Sequence, residues 1–379
     1  MILIYLDNAA TTKPCNEAVE AAANALKNVF GNPSSLHGVG IEAEITVSRA
    51  RKAIADSIGV SEECVYFTSG ATESNNLALF GTVKAYGKRL RKIVTTAVEH
   101  PSVSNAVNEL EKQGFEIVRV MPDKDGKITA DAIFSAVDEN TCLVSCMLVN
   151  NETGYILPVA EAFMRIRKAY PQAITHCDAV QGYMKLPIKA SKLNADIISL
   201  SGHKIYASKG IGAIYIKKGV RVLPVMFGGG QEKGLRSGTE NVPAIAAMGE
   251  AVRKLMPDID ARLVCANELS EYLKQKLATQ EEITINSGEG CFPYINSISV
   301  RGLKSETLLH FLESRDIFVS SGSACSKGKK SSVLEAFGIP TQLIDSTIRI
   351  SFSNETTHED IDKLCLAIDE ACKKLCKIK

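Results

Sequence analysis

Short runs rich in β-branched and apolar residues alternate with stretches of helical periodicity through the middle of the chain. Val65-Tyr66-Phe67 leads into a helical pattern from about Ala71 to Tyr86. Lys92-Ile93-Val94-Thr95-Thr96 precedes a pattern from Ser102 to Gln113, and Glu116-Ile117-Val118-Arg119-Val120 follows directly. The run from Thr141 to Val149 leads, after a short loop, to the pattern from Val159 to Tyr170. Ala173 to Cys177, Asp196 to Leu200 and Ile211 to Ile216 complete the series. Strands that alternate with helices predict an α/β domain built on a largely parallel sheet. In such a sheet, sites form beyond the carboxyl ends of the strands.

Gly228-Gly229-Gly230 interrupts the alternation, and a long helical region follows from Val242 through Ala278. A second α/β unit then reads from Ser297-Ile298-Ser299-Val300, the helical stretch Ser305 to Arg315, and Ser346 to Phe352. The boundary is expected near residue 257. It divides the chain into a large unit, 14–257, and a smaller one made of 1–13 and 258–379. No internal repeat occurs, and the one low-complexity stretch runs from Ser320 to Ser332.

Composition narrows the function classes. A length of 379 residues suggests two or three domains. Apolar residues at 45% and charged residues at 23% exclude a mainly disordered chain. Lys and Arg (44) balance Asp and Glu (43), which argues against a dedicated nucleic-acid binder. No apolar run approaches the ~20 residues of a membrane span. The start of the chain has no basic region and meets a carboxylate at Asp7, so no secretion signal is expected. The eleven cysteines are odd in number and contain no C-x-x-C pair. They therefore read neither as a disulfide framework nor as a metal site, and a reduced cytoplasmic protein is the expectation.

Six segments carry candidate chemistry, each with a plainer alternative. Lys204, in Ser201-Gly202-His203-Lys204, follows a strand directly. There it can bond a cofactor aldehyde as a Schiff base, or simply be solvated. Asp178 ends an apolar strand, where it can pair with a protonated ring nitrogen or make a turn. Thr68-Ser69-Gly70-Ala71-Thr72 joins strand to helix, which suits a phosphate, or a capped helix with Thr72 as one cap candidate. His100 precedes Pro101, a residue that opens helices, and its ring can stack on a flat cofactor or be structural. Asn150-Asn151 follows a buried strand and offers amides to a carboxylate or makes a simple turn. Cys325 lies in the polar stretch Ser320 to Ser332, expected to be a mobile surface loop. Lys327, Lys329 and Lys330 beside it favour the thiolate, against an incidental exposed cysteine. Of the other cysteines, Cys64, Cys142, Cys146 and Cys177 fall in strand-like runs and read as small core residues. Cys365, Cys372 and Cys376 share a helix face, and Cys15, Cys265 and Cys291 have no assigned role.

Taken in order, these segments resemble the cysteine desulfurases, the NifS/IscS-like branch of the class V aminotransferase family. The resemblance spans nearly the whole chain. It runs from Tyr5-Leu6-Asp7-Asn8-Ala9-Ala10-Thr11-Thr12 and Gly31-Asn32-Pro33-Ser34-Ser35 through Thr68 to Asn75, Glu99-His100 and Asn150-Asn151-Glu152. It continues through Asp178-Ala179-Val180-Gln181, Ser201 to Lys204, Gly234 to Thr239, Ser320 to Cys325 and Ile348-Arg349. Each motif alone is weak, and the ordered set is specific.

The resemblance implies a pyridoxal 5'-phosphate-dependent transferase of the aspartate aminotransferase-like fold type I. In it Lys204 carries the cofactor and shuttles a proton, Asp178 pairs with the ring nitrogen, and Gln181 bonds the ring oxygen. His100 stacks on the ring and assists proton transfer. Ala71, Thr72, Ser201 and His203 hold the phosphate, with Thr239 supplied to a partner subunit in a homodimer with shared sites. Asn151 and Arg349 bind the carboxylate of L-cysteine, assisted by Asn32, and Asn151 also contacts the cofactor. The Cys325 thiolate takes the sulfur as a persulfide and alanine leaves. The sulfur then passes to a protein acceptor for iron–sulfur clusters or tRNA thiolation. No metal, membrane or direct nucleic-acid partner is implied. Selenocysteine lyase, another class V activity, or a non-catalytic sulfur-relay scaffold are the alternatives. Three places depart from the family pattern: Ala207-Ser208 stands where many relatives carry Gly-Pro, the segment after Cys325 is lysine-rich and shorter than in some relatives, and Tyr155 stands where a smaller residue is expected.

Overall fold

The computed structural model describes residues 3–321 and 331–375. Its centre is a seven-stranded sheet in the order Val65–Thr68, Gly212–Ile216, Ile197–Ser201, Ile174–Asp178, Thr141–Met147, Lys92–Thr96, Glu116–Val120. Gly212–Ile216 pairs antiparallel with both its neighbours, and the remaining pairs are parallel. Six of the seven strands therefore run one way, so their carboxyl ends share one edge.

Alternation along each strand sorts side chains to the two faces of the sheet. Ile93, Leu143, Ile174, Ile197 and Ile214 meet Leu77, Val103, Val107 and Leu110 of the helices Ala71–Tyr86 and Pro101–Lys112. Their neighbours Val94, Val144, Cys177, Ile198 and Ala213 belong to the larger core on the other face. That core includes Gly38–Ile58, Val159–Ala169 and Val242–Leu255. Helices on both faces of a mostly parallel sheet make the α/β class read from the sequence. Gly249 lets two of these helices touch: a Cβ there would lie 2.7 Å from that of Ala50.

The expected single helical region from Val242 to Ala278 is two helices, Val242–Leu255 and Ile259–Leu277. The one-turn 3₁₀ segment Met256–Asp258 separates them. Pro257 has no N–H to continue the ladder. Beyond it, Ser320–Ser321, Thr347–Ser351, Ile295–Val300 and Ile283–Ile285 form a separate antiparallel sheet. Ile4–Tyr5 pairs in parallel with Ile317–Phe318, and Asp7 bridges to Ser351.

Three local expectations are corrected. The stretch Ser320 to Ser332 is not all loop: Ser320 pairs with Arg349 in the small sheet, and Ser331 caps the helix Ser332–Ala336. Cys325 lies outside the described residues. Cys64 is not in a strand but closes the 3₁₀ turn Glu62–Cys64, half-buried, whereas Cys142, Cys146 and Cys177 are buried strand residues. Thr72 is not the helix cap: Gly70 holds that position, with no side chain bonded there. Cys365 and Cys372 do share the helix His358–Lys374, and Cys376 lies outside the described residues.

Candidate active site

Five same-direction strand ends deliver Ser69 to Thr72, Glu99 and His100, Asn151, Asp178, and Ser201 to Lys204 to one cavity of about 740 Å³. That volume suits a small molecule with a cofactor. Gln181 and Arg349 also line it.

The anion end is built from backbone. The helix Ala71–Tyr86 starts without a side-chain cap, so its first N–H groups remain available to a phosphate. Glu73 braces the turn. Its Oε2 accepts from Ser69 N (2.9 Å) and Ser69 Oγ (2.5 Å), and its Oε1 accepts from Arg236 Nε at 2.7 Å. Gly212 lets the antiparallel strand press against this turn, because a Cβ there would lie 2.8 Å from Gly70 Cα. The Ser201 hydroxyl is buried without a partner at the same cavity. His203 bonds Thr11 Oγ1 at 3.2 Å, and burial pushes its pKa down to about 4, so the ring is neutral.

The carboxylate of Asp178 is buried and oriented. Oδ2 accepts from Asn75 Nδ2 at 2.8 Å and Oδ1 from Val180 N at 3.1 Å. Asn75 Nδ2 also donates to Ser102 Oγ, which sits 2.8 Å from His100 Nδ1. His100 caps the helix Pro101–Lys112 by accepting from Ser102 N at 3.1 Å. An Nδ1 that accepts a backbone N–H carries no proton, so the neutral ring holds its proton on Nε2. Burial lowers the His100 pKa, with the Asp178 charge opposing.

Lys204 Nζ donates to Ala9 O and Ala10 O, each at 2.6 Å, and Gln181 Nε2 donates to Ala9 O at 3.0 Å. Thr12 N donates to His203 O, and Thr12 Oγ1 accepts from Tyr206 N at 2.7 Å. The N-terminal segment thus clasps the Lys204 turn. Tyr206, at φ 60°, precedes the Ala207-Ser208 departure, and Gly202 O accepts from both Ile205 N and Ala207 N. Arg349 Nη1 donates to Asn151 O (2.8 Å) and Nη2 to Asp7 Oδ1 (2.9 Å), while its Nε is buried without a partner.

Ala71, Thr72, His100, Asn151, Asp178, Gln181, Ser201, His203, Lys204 and Arg349 therefore meet at one cavity. Asn32 and Thr239 do not. Asn32 is exposed with its Oδ1 on Ser34 N, and Thr239 lines a smaller cavity of about 150 Å³ that shares Ser69, Gly210 and Ile211 with the main one. Sequence reasoning missed the Ala9 and Ala10 carbonyls, Asn75, Ser102 and two carboxyls. Glu99 is wholly buried. Its Oε1 accepts from Thr96 Oγ1 (2.7 Å) and Met147 N (2.9 Å), while Oε2 has no partner. Burial raises its pKa to about 8, so the group is an uncharged acid at neutral pH. Burial likewise raises Glu152 to about 6. Asn75 was detectable as a polar residue on the inward side of a helix, in register with Ala71.

The family model for Aminotransferase class-V matches residues 4–364. This chain belongs to that family. A NifS/IcsS protein homolog of Lactobacillus delbrueckii subsp. bulgaricus is 40% identical over 381 residues, covering 99% of each chain. The cysteine desulfurase IscS of Methanosarcina thermophila is 37% identical, over 98% of this chain and 92% of that one. A solved NifS-like protein superposes with a TM-score of 0.93 at 35% identity, covering 99% of this chain and all of that one. Class V aminotransferases use pyridoxal phosphate, and the residues present fit it. Ser201, Gln181, Glu99 and Arg349, each with a buried polar atom that has no partner, all line the one cavity, beside an oriented carboxylate, a lysine and a helix N-terminus. Among the described residues no cluster of three His, Cys, Asp or Glu side chains could hold a metal, and no helix is long and apolar enough to cross a membrane.

Proposed function

We propose that this chain is a pyridoxal-phosphate-dependent cysteine desulfurase that transfers the sulfur of L-cysteine to Cys325. The observation that carries this reading is the convergence of Lys204, Asp178, His100 and Arg349 on one cavity within a chain of this family. The first helical N–H groups, Ser201 and His203 would hold the phosphate of the cofactor, Asp178 would face its ring nitrogen, and Gln181 its ring oxygen. Bound there, the cofactor supplies an electron sink that makes the Cβ–S bond of the substrate cleavable.

The chain's own residues supply the rest. Arg349, held by Asp7 and Asn151 O, binds the substrate carboxylate, with the Asn151 amide beside it. Lys204 Nζ takes and returns the α-proton, and the neutral His100 ring stacks and relays protons. The thiolate of Cys325 attacks the substrate sulfur as the Cβ–S bond breaks. In sum, L-cysteine and the Cys325 thiol give L-alanine and a Cys325 persulfide, and no outside oxidant is needed. Ser321 and Ser331 line the cavity. Cys325 is four residues from Ser321, a length that spans at most about 14 Å.

A large unit, 14–257, carries the cofactor, and 1–13 with 258–379 carries Cys325. The helix break at Met256–Asp258 supports that division. A homodimer with Thr239 lent to the partner's phosphate is supported by Thr239 and Asn32 lying outside this chain's own cavity. Exposed Phe30, Phe227 and Leu36, the last 95% exposed, supply apolar surface for such a contact. The sulfur passes to a protein acceptor for iron–sulfur cluster assembly or tRNA thiolation, in a reducing cytoplasm that keeps Cys325 a thiol.

The test is to incubate the holoprotein and a Cys325→Ala variant with L-cysteine and a thiol reductant. The wild type is expected to release alanine and sulfide in equal amounts. The variant is expected to show the absorbance change on adding L-cysteine but almost no sulfide. Normal sulfide release by the variant would remove Cys325 from the reaction.

A further inference from the structure

The turn that follows the strand Thr141–Met147 does more than present Asn151. Asn150 Oδ1 accepts from Glu152 N (3.0 Å), Thr153 N (2.9 Å) and Thr153 Oγ1 (3.1 Å), which fixes residues 150–153. Asn150 Nδ2 donates to Val98 O at 3.0 Å, tying the turn to the segment before His100. From this fixed turn the Glu152 carboxylate reaches out. Its Oε2 accepts from Ser331 Oγ at 2.6 Å. Ser331 Oγ in turn accepts from Leu334 N at 3.1 Å, which caps the helix Ser332–Ala336. A hydroxyl has one proton, so with that proton given to Glu152 its lone pair is left for the cap.

A second contact runs alongside. The Tyr155 ring packs 5.6 Å from the Phe337 ring, at the far end of the same short helix. Tyr155 Oη donates to Ile128 O and accepts from Ile128 N, each at 3.2 Å, so the ring is held from behind. This gives Tyr155, unexplained by the family pattern, a packing role. On the other side, Ser320 pairs with Arg349 across the small sheet. The two stems flanking residues 322–330 are therefore each bonded beside a group for the substrate carboxylate: Ser320 beside Arg349, and Ser331 beside Asn151.

We propose that Glu152 is a positioning residue that fastens the Ser331 stem of the Cys325-bearing segment to the substrate-carboxylate pocket. The inference rests on the desulfurase reading. It places the effect of Glu152 on sulfur transfer to Cys325 and not on capture of L-cysteine. Holding a nucleophile's stem against the site sets how often the thiol meets the substrate sulfur, and a displacement of about 1 Å can cost ~10²-fold in rate.

The test compares holoenzymes carrying Glu152→Ala, Ser331→Ala, both together, Glu152→Gln and Cys325→Ala. Sulfide release at saturating L-cysteine is expected to fall roughly tenfold or more in each Ala variant of the link. The L-cysteine dependence of the early absorbance change should be unaltered in Ser331→Ala. The double variant should fall no further than the worse single one, because the two side chains act as one bond. Glu152→Gln keeps an oxygen that accepts from Ser331 and should recover most of the rate. It loses the charge beside Arg349 as Glu152→Ala does, so recovery isolates the hydrogen bond. Full rates in Glu152→Ala and Ser331→Ala, or additive losses, would overturn the inference. Full desulfuration by Cys325→Ala would instead overturn the reading beneath it. Should Glu152→Ala fail to fold, Ser331→Ala removes the same bond by deleting one hydroxyl.

Discussion

Replacing Lys204 with Ala is expected to cut L-cysteine desulfuration by at least about 10³-fold while the chain still folds. General acid–base catalysis alone contributes ~10² to 10⁴-fold, and a nucleophilic amine adds to that. The Lys204 amine also holds the N-terminal segment through Ala9 O and Ala10 O, so an alanine removes two structural bonds with the chemistry. Lys204→Arg separates these roles. A guanidinium keeps charge and donors but cannot lose its proton in a protein. The arginine variant is expected to melt within a few degrees of wild type and to be as inactive as the alanine. Alanine and sulfide assays with thermal melts of both proteins check this. A rate within tenfold of wild type in either variant would move the proton-transfer role elsewhere.

The second large effect lies in Glu99 and is one of stability. Its folded pKa, about 8, stands above the ordinary 4.5 because burial disfavours the charged form, with the Asp178 charge adding to it. Native protein therefore holds a proton that the unfolded chain gives up. Stability contributed by this group is present below pH 4.5 and is lost as pH rises toward 8, at about 1.4 kcal/mol per unit. Glu99→Gln keeps a carbonyl oxygen for Thr96 and Met147 but has nothing to ionise. Relative to wild type, the variant is expected to gain roughly 3 to 4 kcal/mol between pH 5 and pH 8. Urea midpoints of the two apoproteins at both pH values measure this. A constant difference would mean that Glu99 is already ionised at pH 5. Cys146 and Cys177, both buried near Glu99, have thiol pKa values pushed further up by burial and do not ionise in this range.

Much of this was legible in the sequence, and the limits are physical. Period-two strands and helical patterns from Val65 to Ile216 mark the α/β unit because side-chain alternation is local. The antiparallel direction of Gly212–Ile216 was not legible, since pairing is decided by partners far along the chain. The helix Gly38–Ile58 was readable and was not read: Ala43, Val47, Ala50 and Ile54 bury one face at three- and four-residue spacing. Pro257 likewise announces the break in the long helical region. The site was legible mainly through ordered motifs, since no spacing says that Asn75 aims at Asp178 or that Ala9 O meets Lys204. The first is a contact across 103 residues and the second across 195. Glu99 was read only as the residue before His100, because composition cannot show a carboxyl losing its water.

Sulfur transfer to Cys325 can be read from the mass of that residue's own peptide. The most direct measurement treats holoprotein with one equivalent of L-cysteine without reductant, then weighs the peptide that contains Cys325. A peptide heavier by one sulfur atom, formed together with one alanine, is expected, with no such gain on any other cysteine. An unmodified Cys325 peptide accompanied by a full equivalent of alanine would contradict it.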